Sequence, residues 1–367
     1  YQAWFVRRCF DAMNGFEAPS LEEAQRANET TAHRNVGLVV ETRPDEITPD
    51  QLRWLRRLGV TKLQIGAQSL DDDILARNQR GHTTAHLRRA CALLRGAGFK
   101  IVLHWMPNLL GATPESDRAD FARLWQPAAA GLGLCPDEIK IYPTQLLAGT
   151  ELYRVWQNGG YTPYTTEELI DLIATIKPTI PPYCRINRVI RDIPSTHVIA
   201  GNRRTSLRQD ALAELARRGQ RCRCIRCREV RGQSVEPAGL SLVDEVYHPA
   251  EAEEHFLAYV TPDDRIAGYL RLSLPDRRNA PPPITQDLQD AALIREVHVY
   301  GQALPFGSDK TGAAQHSGLG TRLLEQAQTL SRQAGYTRLA VIAAVGTRVY
   351  YQKRGFRRGE LYLLQDL

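Results

Sequence analysis

The sequence of 367 residues lacks any apolar run as long as the roughly 18 residues that span a bilayer, so no membrane helix is expected. The opening segment, residues 1–18, mixes charged and aromatic side chains, which is typical of an amphipathic helix and excludes a signal peptide. The sequence has no initiator methionine, and we expect that it starts inside a longer protein. Its length predicts two or three domains, and its 43% of hydrophobic residues indicates that they are globular.

Cysteine is sparse and unevenly placed. Four of the seven cysteines are scattered, and three are crowded at Cys222, Cys224 and Cys227. This pattern does not fit a disulfide framework and indicates a reducing, cytoplasmic compartment. Three thiolates within one turn predict a structural zinc site completed by a fourth ligand, for which His197 is the candidate. The alternatives for that position are His248 and Cys184, and an iron–sulfur cluster is the competing interpretation.

Acidic residues are scarce in the segment 185–228. It carries twelve arginines, opposed only by Asp192, Asp210 and Glu214, whereas the whole chain has a net charge of +6. Guanidinium groups match phosphate oxygens bidentately, so this segment predicts a polyanionic partner such as a nucleic acid. An ordinary solvated surface is the alternative.

Strand-like and helix-like segments alternate in the first half of the chain. Short apolar runs predict strands at 37–40, 62–66, 100–106 and 138–142. Helical patterns lie at 1–18, at 49–58, from 71, at 84–97 and at 117–125. The alternation predicts parallel β-α units, arranged as a barrel or as an open sheet. The periodicity weakens from 178 to 234, where the arginines and the clustered cysteines lie.

The composition changes again after residue 234. The predicted elements are a hairpin at 256–260 and 266–272, a strand at 292–299, a helix at 318–334, a strand at 338–345, a short helix at 347–354 and a strand from Phe356. We therefore predict three regions, which are 1–177, 178–234 and 235–367.

A glycine-containing motif opens the predicted helix at 318–334. It reads Gln315-His316-Ser317-Gly318-Leu319-Gly320-Thr321. The glycines let the backbone approach a ligand, and the free N–H groups of a helix N-terminus attract negative charge, so the motif predicts a pyrophosphate cradle. In the preceding strand, we expect the backbone of the residues Glu296, Val297, His298 and Val299 to pair with an extended pantetheine arm.

Two adjacent tyrosines, Tyr350 and Tyr351, lie in the downstream run Val349 to Phe356. A phenol beside a thioester can protonate the departing thiolate, and ordinary packing is the alternative for one of the two. The order of strand, glycine loop, helix, strand and Y-x-K-x-G-F resembles the GNAT acetyltransferases. This resemblance implies that 235–367 binds acetyl-CoA, with Tyr351 or Tyr350 as the acid. The nearby polar candidates for a base are Glu296, His298 and His316.

A narrower resemblance covers essentially the whole chain. The segments that carry it are Glu41-Thr42-Arg43-Pro44-Asp45, Ile139-Lys140-Ile141-Tyr142-Pro143-Thr144, 188–194, 294–301, 315–320 and 345–351. They resemble the family of the catalytic Elongator subunit. The resemblance implies an α/β protein with a radical SAM (TIM-like) β/α barrel, partial here in 1–177, a metal-binding linker in 178–234 and a GNAT acetyltransferase domain in 235–367.

The same resemblance implies an enzyme that modifies the wobble uridine of tRNA. It would install a carboxymethyl-type group at carbon 5, with acetyl-CoA supplying the acetyl unit and an adenosyl radical activating it. The expected partner is tRNA, through its anticodon stem-loop, and a homodimer or a larger Elongator-type assembly is also expected.

By this resemblance Glu41 and Gln68 face S-adenosylmethionine, with Arg80 as a weaker candidate and barrel lining as the alternative role. The family holds a 4Fe–4S cluster on three closely spaced cysteines. The barrel cysteines Cys9, Cys91 and Cys135 are too far apart for that motif, so we expect it upstream of Tyr1 in the full-length protein.

Two other functions stay open. A protein lysine acetyltransferase would need an acidic groove for a basic peptide, whereas the linker is strongly basic. A non-catalytic RNA-binding module with a vestigial coenzyme site is the other possibility, and the intact Gln315, Gly318, Gly320 and Tyr351 argue against it.

Overall fold

The computed structural model of the chain describes residues 1–190, 193–231, 235–300 and 318–367. Its helices are α1 (Gln2–Asn14), α2 (Leu21–Asn28), α3 (Pro49–Leu58), α4 (Asp72–Arg77), α5 (Thr84–Gly96), α6 (Pro114–Arg123), α7 (Glu151–Gln157), α8 (Thr166–Ile176), α9 (Leu207–Arg217), α10 (Ile225–Arg228), α11 (Leu319–Gln333) and α12 (Arg348–Gln352). Its strands are β1 (Val39–Thr42), β2 (Lys62–Gln68), β3 (Lys100–Trp105), β4 (Glu138–Ile141), β5 (Leu146–Leu147), β6 (Arg185–Val189), β7 (Val198–Ala200), β8 (Ser241–Tyr247), β9 (Ala252–Val260), β10 (Ile266–Pro275), β11 (Ala291–Val299), β12 (Arg338–Val341), β13 (Arg357–Arg358) and β14 (Leu363–Asp366).

A five-stranded parallel sheet forms the first half of the fold. Its order is β1-β2-β3-β4-β6, and every neighbouring pair is parallel. Capping residues in the sequence determine where the helices between the strands begin and end. The side chain of Thr48 accepts the Gln51 N–H at the start of α3, and Gly59 ends that helix in a left-handed conformation. The predicted parallel β-α units are therefore confirmed, as an open, partial TIM-like sheet.

The predicted boundary at residue 177 does not match the sheet. The fifth strand, β6, lies inside the segment predicted as a linker, and so does α9. Leu207, Ala211 and Leu215 of α9 are buried in the same core as the parallel sheet. The helical spacing of these three apolar residues is present in the sequence, but the many arginines around them hide it.

A seven-stranded mixed sheet forms the second half. Its order is β13-β14-β12-β11-β10-β9-β8, and only the pair β11–β12 is parallel. The hairpin of β9 and β10 is confirmed, whereas β8 was not predicted. The strand expected at 338–345 ends early, at Val341, because β12 diverges from β11 there.

The two sheets share one core, although they differ in topology. Leu63 and Ile101 of the parallel sheet belong to the same buried cluster as Phe256, Tyr269 and Leu293 of the mixed sheet. The other face of the mixed sheet packs on α11 and forms a second core. The parallel sheet and α11 therefore lie on opposite faces of the mixed sheet.

Buried charges reinforce the contact between the sheets. The guanidinium of Arg295, on β11, lies 2.9 Å from Asp137 Oδ1 and 2.8 Å from Glu254 Oε2, and all three side chains are fully buried. The buried Arg271, on β10, donates to the Tyr183 carbonyl at 2.7 Å. Removing one partner of such a pair costs about 3–5 kcal/mol, so these contacts fix how the sheets meet.

Candidate functional site

The parallel strands β11 and β12 separate halfway along their length. They pair from Ala291 opposite Arg338 to Ile294 opposite Val341, and the Ile342 N–H donates to the Ile294 carbonyl at 3.2 Å. Among the described residues, 295–299 have no strand partner on that side. Their backbone is an open edge, which can pair with an extended ligand.

The N-terminus of α11 lies at the end of this open edge. Gly318, which precedes the helix, has a φ of 70°, a conformation that favours glycine. A side chain at Gly320 would collide with the Tyr350 hydroxyl and lie 3.8 Å from Val299 Cγ2. The end of β11, the first turn of α11 and Tyr350 therefore meet at one point. Gln315, His316 and Ser317 of the predicted cradle lie outside the described residues.

The other members of the predicted cradle have ordinary packing roles as well. Leu319 is fully buried in the core under α11. The hydroxyl of Thr321 accepts from Arg354 Nε at 3.1 Å, and the same guanidinium lies over the Tyr350 ring, 3.6 Å from its centroid. Arg354 was missed from the sequence, although it lies within the Y-x-K-x-G-F motif.

The two adjacent tyrosines occupy different environments. Tyr351 is buried in the core of the mixed sheet and contacts Phe356 edge to face at 5.7 Å. Tyr350 is half-buried and perpendicular to Tyr351, with the ring centroids 5.2 Å apart. Burial first, and then Tyr350 and Glu296, raise the pKa of Tyr351 well above its ordinary value. The phenol of Tyr351 is therefore held in its protonated form.

Glu296 and His298 differ in how much their side chains are engaged. Glu296 accepts from Tyr269 Oη at 2.9 Å and from Arg271 Nε at 3.0 Å, and it pairs with Lys100. Burial alone would raise the pKa of Glu296, but Lys100 and Arg271 outweigh it and lower this pKa far below its ordinary value. His298 is exposed and contacts Tyr269 by stacking. Of these two candidates, the geometry therefore favours His298 as a base.

The neighbouring valines face the other way. Val297 and Val299 pack against the core under α11, as alternation along a strand requires. The backbone of the four predicted residues of β11 therefore has no strand partner among the described residues along the open edge. Their two apolar side chains point towards α11, and their two polar side chains point towards the parallel sheet.

Glu41 and Gln68 lie near the carboxyl ends of the parallel strands, where α/β sheets bind ligands. Gln68 has a φ of 67°, and its Oε1 is buried without a hydrogen-bond partner among the described residues. Arg80 Nε is also buried without a hydrogen-bond partner among the described residues, and the Arg80 guanidinium donates to the Gly66 carbonyl at 3.5 Å. Glu41 is exposed. Buried polar atoms without partners fit a polar ligand at this edge.

A polar stripe beside Glu41 was missed. His104 Nε2 lies 2.9 Å from Gln64 Oε1 and His104 Nδ1 lies 3.4 Å from Glu41 Oε1, while Lys140 donates to Gln64. These residues lie on four neighbouring strands, where the register pairs Glu41 with Gln64 and His104 with Lys140, so they share one face of the sheet. This stripe could have been predicted from the sequence, because polar residues occur at alternate positions in otherwise apolar strands.

The cysteine cluster forms as predicted. The sulfur atoms of Cys222, Cys224 and Cys227 all lie within 4.8 Å of one another. A tetrahedral zinc with bonds of about 2.3 Å would hold sulfurs roughly 3.8 Å apart, so the thiols fit it. The fully buried Lys177, whose Nζ has no hydrogen-bond partner among the described residues, contributes positive charge that favours thiolates.

The predicted fourth ligand is not at the cluster. Within the described part of the chain, the group of mutually close ligand atoms contains the three thiols but not His197, Cys184 or His248. His197 is exposed at the start of β7, and His248 is exposed near Glu253. His197 as the fourth ligand therefore stays a prediction, for which its proximity in the sequence is the only support.

The arginines of 185–228 divide into two kinds. Some are internal: Arg185 pairs with Glu229 at 2.8 Å, and Arg228 pairs with Asp264 at 2.6 Å. Arg203, Arg204 and Arg217 are exposed. Arg191 lies outside the described residues. The block is therefore partly structural, and only its exposed members are available to a polyanion.

Among the described residues, no helix has the length and apolarity to cross a bilayer. The family model of the radical SAM superfamily matches residues 15–124, and that of the radical SAM C-terminal domain matches 136–217. The second match includes β6 and α9, in agreement with the sheet.

Three relatives match along the whole chain. The tRNA uridine(34) acetyltransferase of Dehalococcoides mccartyi is 40% identical, over 100% of this chain and 80% of that protein. Elongator complex protein 3 of Danio rerio is 36% identical, over 100% of this chain and 67% of its own length. The solved structure of the archaeal Methanocaldococcus infernus Elp3 with an N-terminal deletion superimposes with a TM-score of 0.91 at 35% identity, covering 100% of this chain and 86% of that one. The chain therefore belongs to the family of the tRNA uridine(34) acetyltransferases and Elongator complex protein 3.

Proposed function

We propose that this chain is an acyltransferase that modifies the wobble uridine of tRNA. It would use acetyl-CoA to install a carboxymethyl-type group at carbon 5 of that base. The observation that carries the proposal is the meeting of the open edge of β11, the N-terminus of α11 and Tyr350 at Gly320. The names of the relatives support the choice of tRNA and of the wobble position.

Residues 235–367 would act as a GNAT-type domain. The pantetheine arm would pair with the backbone of 295–299, where β11 has no partner towards β12 among the described residues. The pyrophosphate would accept from the free N–H groups of α11, and Gln315, His316 and Ser317 of the predicted cradle would also bind it. Acetyl-CoA, when bound, supplies the acetyl unit as a thioester.

Tyr351 would donate a proton to the departing thiolate. Its raised pKa leaves the phenol protonated at neutral pH, so a proton is available there, although the same shift makes the phenol a weaker acid. Tyr350 would position the coenzyme, since its hydroxyl lies against Gly320 and Arg354 covers its ring. His298 would accept a proton from water, because the Glu296 carboxylate is already held by Lys100 and Arg271.

Glu41, Gln68 and Arg80 would bind S-adenosylmethionine at the carboxyl edge of the parallel sheet. The partnerless Gln68 Oε1 and Arg80 Nε support this placement, because a polar ligand would satisfy both atoms. Membership of the radical SAM superfamily implies S-adenosylmethionine and a 4Fe–4S cluster, which together supply one-electron chemistry.

The three clustered thiols would hold a structural zinc. Cys222, Cys224 and Cys227 lie between α9 and the hairpin turn that carries Asp264, which pairs with Arg228. A zinc bound there would join the parallel sheet to the mixed sheet through this segment. Three thiolates leave a fourth position for another ligand.

The anticodon stem-loop of tRNA would dock on the exposed arginines of 185–228. Arg203 and Arg204 project from the segment between β7 and α9, and their charges would contact backbone phosphates. A homodimer or a larger Elongator-type assembly remains an expectation that rests on the family names.

The alternative is a protein lysine acetyltransferase. A single experiment separates the two functions: acetyl-CoA turnover by the full chain is measured alone, with tRNA, and with a basic lysine-containing peptide. The proposal predicts stimulation by tRNA and no acetylated peptide. Peptide acetylation without an effect of tRNA would favour the alternative.

A further inference from the structure

A basic cavity lies where the N-terminal helices meet the last hairpin. It has a volume of about 330 Å³ and is lined by α2, α3 and the turn between β13 and β14. Five of its lining residues are arginines: Arg26, Arg56, Arg57, Arg348 and Arg358. None of them was assigned a role in the coenzyme, S-adenosylmethionine or zinc sites.

Two of the five arginines share a single carboxylate. The carboxylate of Glu29 lies 3.0 Å from Arg348 and 2.6 Å from Arg358. This shared carboxylate fixes one wall of the cavity. Two exposed carboxylates, Glu22 and Glu360, also line it, so five guanidinium groups face three carboxylates. The cavity keeps an excess of positive charge.

Arg56 forms the floor and is almost fully buried. It donates to the Val60 carbonyl and, at 2.8 Å, to the Leu361 carbonyl, but its Nε has no hydrogen-bond partner among the described residues. Burial lowers the pKa of Arg56 to about 10. A buried charged donor without a partner is costly, and an anion beside it would remove that cost.

Arg26 and Arg57 stand at the exposed rim. Each is solvent-exposed, and no carboxylate of the described residues pairs with either one. Arg26 comes from α2 and Arg57 from α3, so the two approach the cavity from different helices. Two free guanidinium groups above a third, buried one match the several acceptor oxygens of a phosphate.

We propose that this cavity binds a phosphate group, held by Arg26 and Arg57 at the rim and by Arg56 Nε at the floor. The phosphate would come either from an RNA backbone or from the 3′-phosphate of coenzyme A. The site goes beyond the proposed function, since it stands on the geometry of these arginines and needs no acetyl transfer.

The test compares two double variants of the full chain. Arg26→Gln with Arg57→Gln removes the rim charges, and Arg89→Gln with Arg332→Gln is the matched control, because Arg89 and Arg332 are exposed on α5 and α11, away from the cavity. The melting temperature is titrated with inorganic phosphate against chloride at equal ionic strength. We expect the rim variant to bind phosphate more weakly, on the order of tenfold or more, because each charge-assisted hydrogen bond contributes about tenfold or more.

If the melting temperature depends equally on phosphate in the wild type and in both double variants, the proposal is overturned, because the dependence then reflects only the general effect of the salt. Two further binding measurements, one with tRNA and one with coenzyme A, identify the source of the phosphate. If it is RNA, the rim variant loses about one unit or more from the slope of log affinity for tRNA against log salt, relative to the control. If it is the coenzyme, the wild type binds coenzyme A more tightly than dephospho-coenzyme A and the rim variant does not. Neither measurement depends on turnover, so a failed proposal for acetyl transfer would leave this test intact.

Discussion

Lys100, the first residue of β3, forms an ion pair with Glu296 of β11 and another, at 2.5 Å, with Glu138 of β4. The first pair joins the parallel sheet to the strand proposed to hold the coenzyme. Because Glu296 lies on the half of β11 that β12 does not cover, this bond helps to keep that edge in place where strand pairing does not. Arg271 holds the same carboxylate from the neighbouring strand.

Replacing Lys100 with Met is expected to destabilise the fold. Two largely buried carboxylates would lose their shared cation, and such losses cost about 3–5 kcal/mol. The measurement is the free energy of unfolding in urea. Lys353→Met is the control, since Lys353 is exposed and exposed substitutions usually change stability by less than about 0.5 kcal/mol. An equal loss in both variants would show that the pair does not join the sheets.

The stability should also depend on pH through Glu138. Burial alone would raise the pKa of Glu138, but Lys100 and Lys62 outweigh the effect of burial and lower this pKa to about 2. A carboxyl whose pKa is lower in the folded state stabilises the fold above its unfolded pKa of about 4.3, and this stability is lost as the pH falls towards 2. Glu138→Gln should remove that part of the pH dependence. Urea unfolding between pH 2 and pH 6 measures it.

The control for this experiment is Glu167→Gln, which alters an exposed carboxylate of α8. It should leave the slope of unfolding free energy against pH unchanged. If Glu138→Gln keeps the wild-type slope between pH 2 and pH 4.3, the buried pairs of Glu138 are not its source.

The two tyrosines can be separated by matched substitutions. Tyr351→Phe should cut acetyl-CoA turnover by about 10²-fold or more, because general acid catalysis contributes 10²–10⁴-fold, while tRNA affinity stays unchanged. Tyr350→Phe is the matched change at the neighbouring position and should mainly raise KM, since its hydroxyl lies against Gly320. Steady-state kinetics with both variants distinguishes the roles. Unchanged kcat in Tyr351→Phe would remove the proposed acid.

The cysteine cluster predicts a specific loss of metal. Cys224→Ser should lower the bound zinc per chain to a small fraction of the wild-type value, because one of three thiolates is removed. Cys9→Ser is the control, since Cys9 is exposed and outside the cluster. Metal analysis of the purified proteins is the measurement. Iron instead of zinc in the wild type would favour the competing iron–sulfur interpretation.

Much of the fold follows from local patterns. The β-α alternation predicted the parallel sheet, and the turn-forming residues 261–264 predicted the β9–β10 hairpin. What could not be predicted depends on contacts between distant segments. Arg295 with Asp137 looks like two surface charges in the sequence, yet both are buried where the sheets meet. The separation of β12 from β11 after Val341 is likewise invisible, because residues 342–345 are as apolar as the strand itself.

The site shows the same division. The glycines and tyrosines of the proposed coenzyme site are recognisable because their spacing matches the chemistry proposed for them. The choice of His197 as the fourth metal ligand stays a prediction, since a fourth ligand can come from anywhere in the chain and spacing gives no information about it. The cavity of Arg26, Arg56 and Arg57 was also missed, because its walls come from opposite ends of the sequence.

The proposed function requires this chain to use acetyl-CoA for a tRNA whose wobble base is uridine. The most direct measurement is acetyl-CoA hydrolysis by the full chain with two anticodon stem-loops that differ only in base 34, one with uridine and one with cytidine. We predict that the uridine stem-loop stimulates hydrolysis and that the cytidine stem-loop stimulates it much less. Equal stimulation by both stem-loops, or none by either, would contradict the proposed function.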